Sequence, residues 1–165
     1  MRDVVDGILA SWQRELPEIA GIELELSKRA HRLAAILEQA TNRQLAKFKL
    51  TKAEYDILAV LRAAGRPYRL RPTDLAARLL LSSGGTSNVL RRLTDAGLIT
   101  RDPDPDDARS SWVQLTPHGL TITEAAVRAS TEGQRQTLSA VDPAKTRAAA
   151  DILREILLAL GDHVE

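Results

Sequence analysis

The segment LSSGGTSNVLRRLTDAG, residues 81–97, decides the fold of this chain. Leu90 and Leu93 recur at the spacing of one helical face, which predicts a helix over residues 84–96. Gly97 suits the left-handed position that commonly follows the last turn of a helix. The segment therefore predicts a helix with one apolar face and a defined end.

The neighbouring segments make this helix part of a larger motif. Pro72 and Thr73 open a preceding helix that extends to residue 80, and only a few residues separate the two helices. Residues 98–101 have the pattern of a strand, and residues 111–115 alternate as its returning partner around a loop at 102–110. A helix-turn-helix followed directly by a β-hairpin predicts a winged helix.

Helical patterns dominate the rest of the chain. Thr51 and Glu54 have the spacing of a capping box at the start of a helix that ends at Gly65. The predicted fold class is mainly α with a small β-hairpin wing (α+β). The remaining predicted elements are helices over residues 4–16, 23–47, 117–138 and 143–160, with a short extended stretch at 67–70.

This pattern divides the chain into three regions. They are N-terminal helices at 1–50, a winged helix-turn-helix lobe at 51–116 and C-terminal helices at 117–165. The last helix has an apolar stripe with too little partner surface in a chain of 165 residues. We therefore expect the first and third regions to dimerise; the alternative is a purely intramolecular bundle.

Composition excludes several classes of protein. The chain has no cysteine, so disulfides and thiolate metal sites are excluded, and its three histidines lie far apart in sequence. No nucleophile elbow, phosphate-cradling glycine loop or metal-binding cluster is evident, so we expect no enzyme activity, no cofactor and no metal. There is no apolar run of membrane-spanning length and no signal peptide, which favours the cytoplasm.

Positive charge is concentrated in the middle of the chain. Residues 66–101 contain seven arginines and two aspartates, a charge of +5, whereas the whole chain is only +1. A basic segment within an otherwise acidic chain is typical of a surface that binds a polyanion. The alternative is a solvated arginine-rich face.

The helix at 84–96 has candidate residues for reading DNA bases. With Leu90 and Leu93 inward, Ser87, Asn88 and Arg91 project outward near its N-terminal half. Asparagine can pair with adenine and arginine with guanine in the major groove. Two further candidates, Gly84 and Gly85, would offer backbone amides to a phosphate, or would simply start the helix.

Other candidates would hold the DNA backbone without reading sequence. Arg92, Arg71 and Thr73 lie within or beside the two predicted helices of the motif, and we expect them to contact phosphates. Such contacts would fix the register of the protein on the duplex.

The hairpin contains a complete DxRxxxxxLT pattern, with Asp107, Arg109 and, after five residues, Leu115 and Thr116. This motif resembles the wing motif of the MarR family of transcriptional regulators. The resemblance covers roughly residues 22–160. It implies a homodimer whose winged-helix lobes grip a pseudo-palindromic double-stranded DNA operator, commonly as a repressor released by a small-molecule effector.

The resemblance also implies roles for the wing residues. Arg101 opens the wing, and Arg109 sits at its tip and enters the minor groove, where negative potential is focused. Asp107 accepts hydrogen bonds that hold the wing and its arginine in position. The other aspartates, with Pro103 and Pro105, would shape a stiff tip turned to solvent.

An effector site is suggested by a partial resemblance to a urate-responsive branch of the family, which has an extra N-terminal helix. Trp12 and Asp56 match that branch, but Ala63 and Val89 stand where its arginines would be. Because a purine anion would lose its guanidinium partners, we expect a different, less anionic or more apolar ligand, or none.

Each of these candidate residues has an alternative role. Trp12 can pin the extra helix to the dimer core, and Asp56 can make a structural hydrogen bond. His31 is a third candidate for sensing, or an ordinary helix-surface histidine. For the whole chain, the alternative is a winged-helix protein-interaction module without specific DNA binding, which the basic segment and Arg109 argue against.

Overall fold

A computed structural model describes residues 2–79, 83–104 and 107–162, without the side chains of residues 83, 84, 104 and 107–110. The described elements are mostly helical, as predicted. The helices are α1 (Val4–Glu15), α2 (Ile22–Leu45), α3 (Lys52–Ala63), α4 (Pro72–Leu79), α5 (Ser83–Asp95), α6 (Pro117–Leu138) and α7 (Pro143–Ala159). The strands are β1 (Arg69–Leu70), β2 (Ile99–Asp104) and β3 (Asp107–Leu115), and short 3-10 turns follow α1 and α2.

Several helix ends follow from the side chains that the sequence analysis identified. Thr51 and Glu54 form the expected capping box of α3. Gly97 has a positive φ of 67°, the left-handed conformation in which a residue without a Cβ is least strained. The Thr116 hydroxyl accepts from the Gly119 amide and donates to the Gly97 carbonyl oxygen at 2.8 Å, so one side chain caps α6 and holds the end of α5.

The sheet extends further than predicted. Its order is β1-β3-β2 and both pairings are antiparallel. The predicted loop at 102–110 is wrong, because the ladder continues through Asp102 opposite Trp112 and Pro103 opposite Ser111. Since β2 is an edge strand, Pro103 can lie in it without removing a hydrogen bond from a central ladder. An irregularity between Pro103 and Asp104 then marks the approach to the tip.

The core lies between α3, α4, α5 and one face of the sheet. Its helical side chains are aliphatic, and the β3 residues Val113 and Leu115 alternate into it from the sheet. The buried members are Ile57, Leu58, Leu61, Leu70, Leu75, Val89, Leu90, Leu93, Leu98, Ile99, Val113 and Leu115. Burial of these residues fixes which faces of α4 and α5 remain exposed.

Helix α6 connects this core to the N-terminal helices. The Tyr55 hydroxyl of α3 lies 2.7 Å from the Ser130 hydroxyl of α6. Gln134 of α6 donates to the Thr41 hydroxyl of α2 at 3.0 Å. Gly133 lets α6 approach α2 closely, since a Cβ there would lie 3.3 Å from the Ala40 carbonyl oxygen. Helix α6 therefore links the winged lobe to α2 through side chains of both.

Charged side chains hold α1 against α2. Arg29 donates to Asp3 at 2.9 Å and to Asp6 at 2.7 Å, and it also contacts Glu25 on its own helix. The hydrogen bond from Arg29 lowers the pKa of Asp3 below its ordinary value. Val5 is buried beside this cluster of charges, so α1 has both a polar and an apolar attachment.

We predict that Gly119→Ala destabilises the fold. A Cβ at this position would overlap the Leu98 carbonyl, a backbone atom that cannot rotate away. Overpacking of this kind costs about 1–3 kcal/mol in the free energy of unfolding. Urea denaturation of the full chain measures the change.

The matched control is Gly7→Ala, at a helical position where a Cβ would meet nothing within 4 Å. This change should be neutral or should stabilise the protein by about 0.5–1 kcal/mol, because alanine restricts the unfolded chain. Equal unfolding midpoints for the two variants would contradict the tight approach of α6 to Leu98.

Candidate nucleic-acid interface

Helix α5 presents a polar face to solvent and an apolar face to the core. Leu90 and Leu93 are about 1% exposed, as predicted. Ser87, Asn88 and Arg91 lie on the exposed side of the same helix. The outward face therefore contains hydrogen-bonding and cationic side chains at successive turns.

The outward residues of α5 share a groove with the start of the wing. Ser87, Asn88, Arg91 and Arg101 line a cavity of about 370 Å³ between α5 and β2. Thr94 and Asp95 complete its wall. Arg101, which the sequence identified as part of the wing, thus lies together with the three outward residues of α5.

Two of the candidate base-reading side chains are bonded to each other. Arg91 Nη2 donates to Asn88 Oδ1 at 3.2 Å, an i to i+3 pair on the surface of α5. This bond uses one N–H group of Arg91 and the amide oxygen of Asn88, and both side chains have further N–H donors. The pair can present several donors to an acceptor-rich surface.

The glycines at the start of α5 lie in its first turn. An anion is favoured at this end of a helix by the aligned peptide dipoles. That Gly84 and Gly85 contact a phosphate stays a prediction.

The wing begins with a weakly held arginine. Arg101 Nη2 lies 3.4 Å from the Ser111 hydroxyl across the β2–β3 ladder. The backbone of Asp107 and Arg109 lies in β3, but the side chains of these two residues lie outside the described part of the structure. Their predicted roles stay predictions.

A tryptophan on the wing is the feature that sequence reasoning missed. The Arg69 and Arg71 guanidinium carbons lie 4.6 Å and 5.0 Å from the centre of the Trp112 ring. Cross-strand register would have revealed the contact, because β1 pairs with β3, but a two-residue strand gives almost no pattern. Thr73 lies exposed in the first turn of α4, and its contact with a phosphate stays a prediction.

Arg92 has a structural partner. Its Nε donates to Glu54 Oε1 at 2.9 Å, and Glu54 also accepts from the Thr51 amide and hydroxyl at 2.8 Å each. This pair ties the second half of α5 to the first turn of α3. The Arg92 side chain is still 53% exposed, so a phosphate contact there stays a prediction.

The pKa of Glu54 reflects this environment. Burial alone would raise the pKa, but the hydrogen bonds from Thr51 and Arg92 outweigh it and hold the pKa below the ordinary value of a glutamate. The carboxylate is therefore ionised at neutral pH and holds both of its partners.

Comparison with known proteins identifies the family. The sequence profile of the MarR family matches residues 48–110. The HTH-type transcriptional regulator PecS of Dickeya dadantii is 30% identical over 135 residues, which cover 82% of this chain and 81% of PecS. The chain belongs to the MarR family. It is a winged-helix transcriptional regulator, as the wing motif predicted.

Solved structures agree with this MarR-family fold. The regulator Sco3205 of Streptomyces coelicolor, solved in complex with DNA, has a TM-score of 0.72 and 25% identity, covering 85% of this chain and 89% of that one. BpsR of Bordetella bronchiseptica, whose DNA binding is regulated by 6-hydroxynicotinic acid, has a TM-score of 0.65 and 26% identity. It covers 82% of this chain and 92% of its own.

The candidate effector residues of this MarR-family regulator lie on three different helices. Trp12 on α1 is 39% exposed, and His31 on α2 is also exposed. Asp56 on α3 is bound by Lys52 of the same helix at 2.6 Å. Val89 is buried in the core, so its apolar character already has a structural role.

The described residues form neither a metal-binding cluster nor a membrane-spanning helix. Within residues 2–79, 83–104 and 107–162, no three His, Asp or Glu side chains come together in a way that could hold a metal ion. No helix in the same part of the chain combines the length and the apolar character needed to cross a membrane.

We predict that Glu54→Gln destabilises the winged lobe at neutral pH and reduces its dependence on pH. Because the folded pKa is lowered, the stabilisation from Glu54 is complete above the ordinary pKa and is lost as the pH falls through the folded value. Losing the hydrogen bonds to the charged group costs roughly 1–3 kcal/mol. Urea denaturation at about pH 7 and about pH 3, above and below the ordinary pKa of a glutamate, measures both effects.

The matched control is Glu132→Gln, which breaks an exposed pair with Arg135 on α6. Exposed ion pairs of this kind contribute little to stability. If Glu54→Gln had no larger effect than the control, the link between α3 and α5 would not stabilise the lobe.

Proposed function

We propose that this protein is a homodimeric repressor that binds a pseudo-palindromic DNA operator and is released by a small-molecule effector. The observation that supports DNA binding most directly is the groove between α5 and β2, which gathers Ser87, Asn88, Arg91 and Arg101. Its exposed polar face contains the side-chain types that read base edges. The DNA complex of the related Sco3205 supports the same use of the fold.

In this proposal, α5 enters the major groove with its N-terminal half foremost. Arg91 donates two hydrogen bonds to a guanine and Asn88 pairs with an adenine, each contributing about 1–3 kcal/mol of discrimination. Ser87 lies one turn before Arg91 and contacts a neighbouring base or phosphate. The bond between Asn88 and Arg91 keeps both side chains pointed into the groove before DNA arrives.

The remaining interface residues hold the duplex backbone. Gly84 and Gly85 would meet a phosphate at the start of α5, while Arg71, Thr73 and Arg92 would meet the backbone on either side. Arg101 would guide the DNA backbone towards the wing. For the tip we propose that Arg109 enters the minor groove and Asp107 supports it, in line with the wing motif.

Homodimerisation is supported by apolar side chains that the protomer leaves uncovered. Helix α7 has no buried residue, although Ile152, Leu153 and Leu157 form a stripe along it. A cleft of about 450 Å³ with almost entirely apolar walls lies between this stripe and α2. Uncovered apolar area of this extent is typical of an interface between protomers.

The same observations support separate roles for different regions of the chain. We propose that residues 1–50 and 117–165 form the dimerisation region and that residues 51–116 form the DNA-binding lobe. Helix α6 belongs to the former but bonds to α3 of the latter through Ser130 and Tyr55. A change in the dimer interface would therefore be transmitted to the lobe through α6.

We predict that Leu153→Arg converts the dimer into monomers. The substitution places a charge in the apolar cleft between α7 and α2, where burial of an unpaired charge is costly. Light scattering during size-exclusion chromatography measures the mass. Lys145→Glu, an exposed change on the same helix, should leave the dimer intact; a monomeric wild-type chain would contradict the proposal.

An effector is supported by the related BpsR, which responds to 6-hydroxynicotinic acid. Trp12, His31 and Asp56 remain the candidate contacts in our proposal. Because the α5 residue at the relevant position, Val89, is apolar and part of the core, the site would lack the guanidinium group that a urate pocket is expected to have there. We therefore favour an effector with less negative charge than urate. Such a regulator would act in the cytoplasm beside its operator, without catalysis.

We predict that Arg91→Ala weakens operator binding by roughly 5- to 150-fold, the equivalent of about 1–3 kcal/mol. The operator is first selected from a random duplex library with the wild-type dimer. Fluorescence anisotropy then compares its affinity with that of a scrambled duplex, over a series of salt concentrations. The loss should be larger on the operator than on the scrambled duplex.

Arg128→Ala is the matched control, since it removes the same charge from an exposed position on α6. Its affinity should stay close to that of the wild type. An equal loss for both variants would mean that charge alone matters and would contradict base reading by Arg91. If no duplex were selected, while a partner protein was retained in a pull-down, the protein-interaction alternative would replace this proposal.

A further inference from the structure

We propose that Trp112 is a positioning residue for DNA binding, which holds Arg69 and Arg71 in a stack on the outer face of the wing sheet. The inference rests on the proposed DNA-binding function. It states that an aromatic residue, which need not touch DNA itself, sets the direction of two arginine side chains in the interface.

Strand register places Trp112 on the outer face. Val113 and Leu115 point into the core, so Trp112 and Gln114 alternate to the opposite side of β3. Arg69 of β1 pairs with Gln114 and shares that outer face. The ring is therefore available to side chains that reach across the sheet.

Arg71 reaches the same ring from the beginning of α4. Its carbonyl accepts from the Leu75 amide at 3.1 Å, the first hydrogen bond of α4. Leu75 is fully buried, so the backbone of Arg71 is fixed to the core. The Trp112 ring thus connects the wing to the first helix of the helix-turn-helix.

The geometry is that of two cation–π contacts. The guanidinium carbons of Arg69 and Arg71 lie 4.6 Å and 5.0 Å from the ring centre, within the roughly 6 Å at which such contacts are effective. A contact with an aromatic ring does not by itself use any of the five N–H donors of a guanidinium, so an arginine held in this way can also bind a phosphate oxygen. The ring also limits the rotamers of two long side chains, so less conformational entropy is lost when they bind.

Trp112 should accordingly raise affinity for the DNA backbone without adding specificity. We expect Trp112→Leu to weaken binding to both the selected operator and a scrambled duplex by roughly tenfold, because two arginines that the ring no longer orients lose more conformational entropy when they bind. The dependence of log affinity on log salt should become shallower by about 0.9 for each phosphate that the variant no longer neutralises. Trp112→Phe keeps an aromatic face and should restore most of the affinity.

A double-mutant cycle separates positioning from a general loss of folding. Arg71→Gln should weaken DNA binding in the wild-type background and have much less effect in the Trp112→Leu background. Gln114→Leu is the control on the same face of the same strand, and its affinity should stay near that of the wild type. Additive losses in the cycle would overturn the inference.

The stack itself can be tested without DNA. The chain has two tryptophans, so Trp12→Phe leaves Trp112 as the single tryptophan, which can be excited at wavelengths that the two tyrosines do not absorb. Replacing Arg69 and Arg71 with alanine in that background should increase quenching of Trp112 by acrylamide, because the guanidinium groups no longer cover the ring. Unchanged quenching would overturn the inference by showing that the stack does not form.

The DNA-binding experiments distinguish failure of this inference from failure of the proposed function. If the wild type binds its operator and Trp112→Leu binds it equally well with the same salt dependence, the positioning role is wrong although DNA binding stands. If the wild type binds no duplex, the proposed function itself fails, and the inference fails with it.

Discussion

Burial of the inner face of α5 is the constraint on which the rest of the interface depends. Leu90 and Leu93 pack with Leu58, Leu61 and Leu75 in the core, so α5 has one rotational position in which its apolar side chains are covered. That position turns Asn88 and Arg91 to solvent. A rotation of α5 by one residue would expose leucines and bury an arginine, which is why packing also specifies the surface that meets a ligand.

Polar contacts refine what packing establishes. The ionised Glu54 joins the first turn of α3 to Arg92 of α5, and Thr116 joins the end of α5 to the start of α6. Both contacts lie where a helix begins, where N–H groups or the helix dipole need a partner. Small errors in the angle of α5 would be amplified along its length, so contacts at these positions have a large effect on the direction of its exposed face.

The wing and the terminal helices are attached to the core of the winged lobe in different ways. The wing is attached through β1, whose Leu70 pairs with Val113 and is buried. The terminal helices are attached through α6, which bonds to α3 at Tyr55 and to α2 at Thr41. Their outer apolar side chains remain uncovered in the protomer. In the proposed dimer, a second copy that covers them would fix the spacing of two α5 helices and so would limit the operators that the protein can bind.

The sequence by itself determined the order and type of the elements, because helical and strand periodicities are local properties of the chain. It also identified the capping box at Thr51, the outward residues of α5 and the family. It did not determine the long pairing of β2 with β3 through Pro103, because aspartate and proline normally favour loops and only an edge position makes them compatible with a ladder. Tertiary structure alone decided the contacts of Arg92 with Glu54 and of Trp112 with Arg69 and Arg71. These partners are far apart in sequence, and no local pattern records which side chains packing brings within reach of one another.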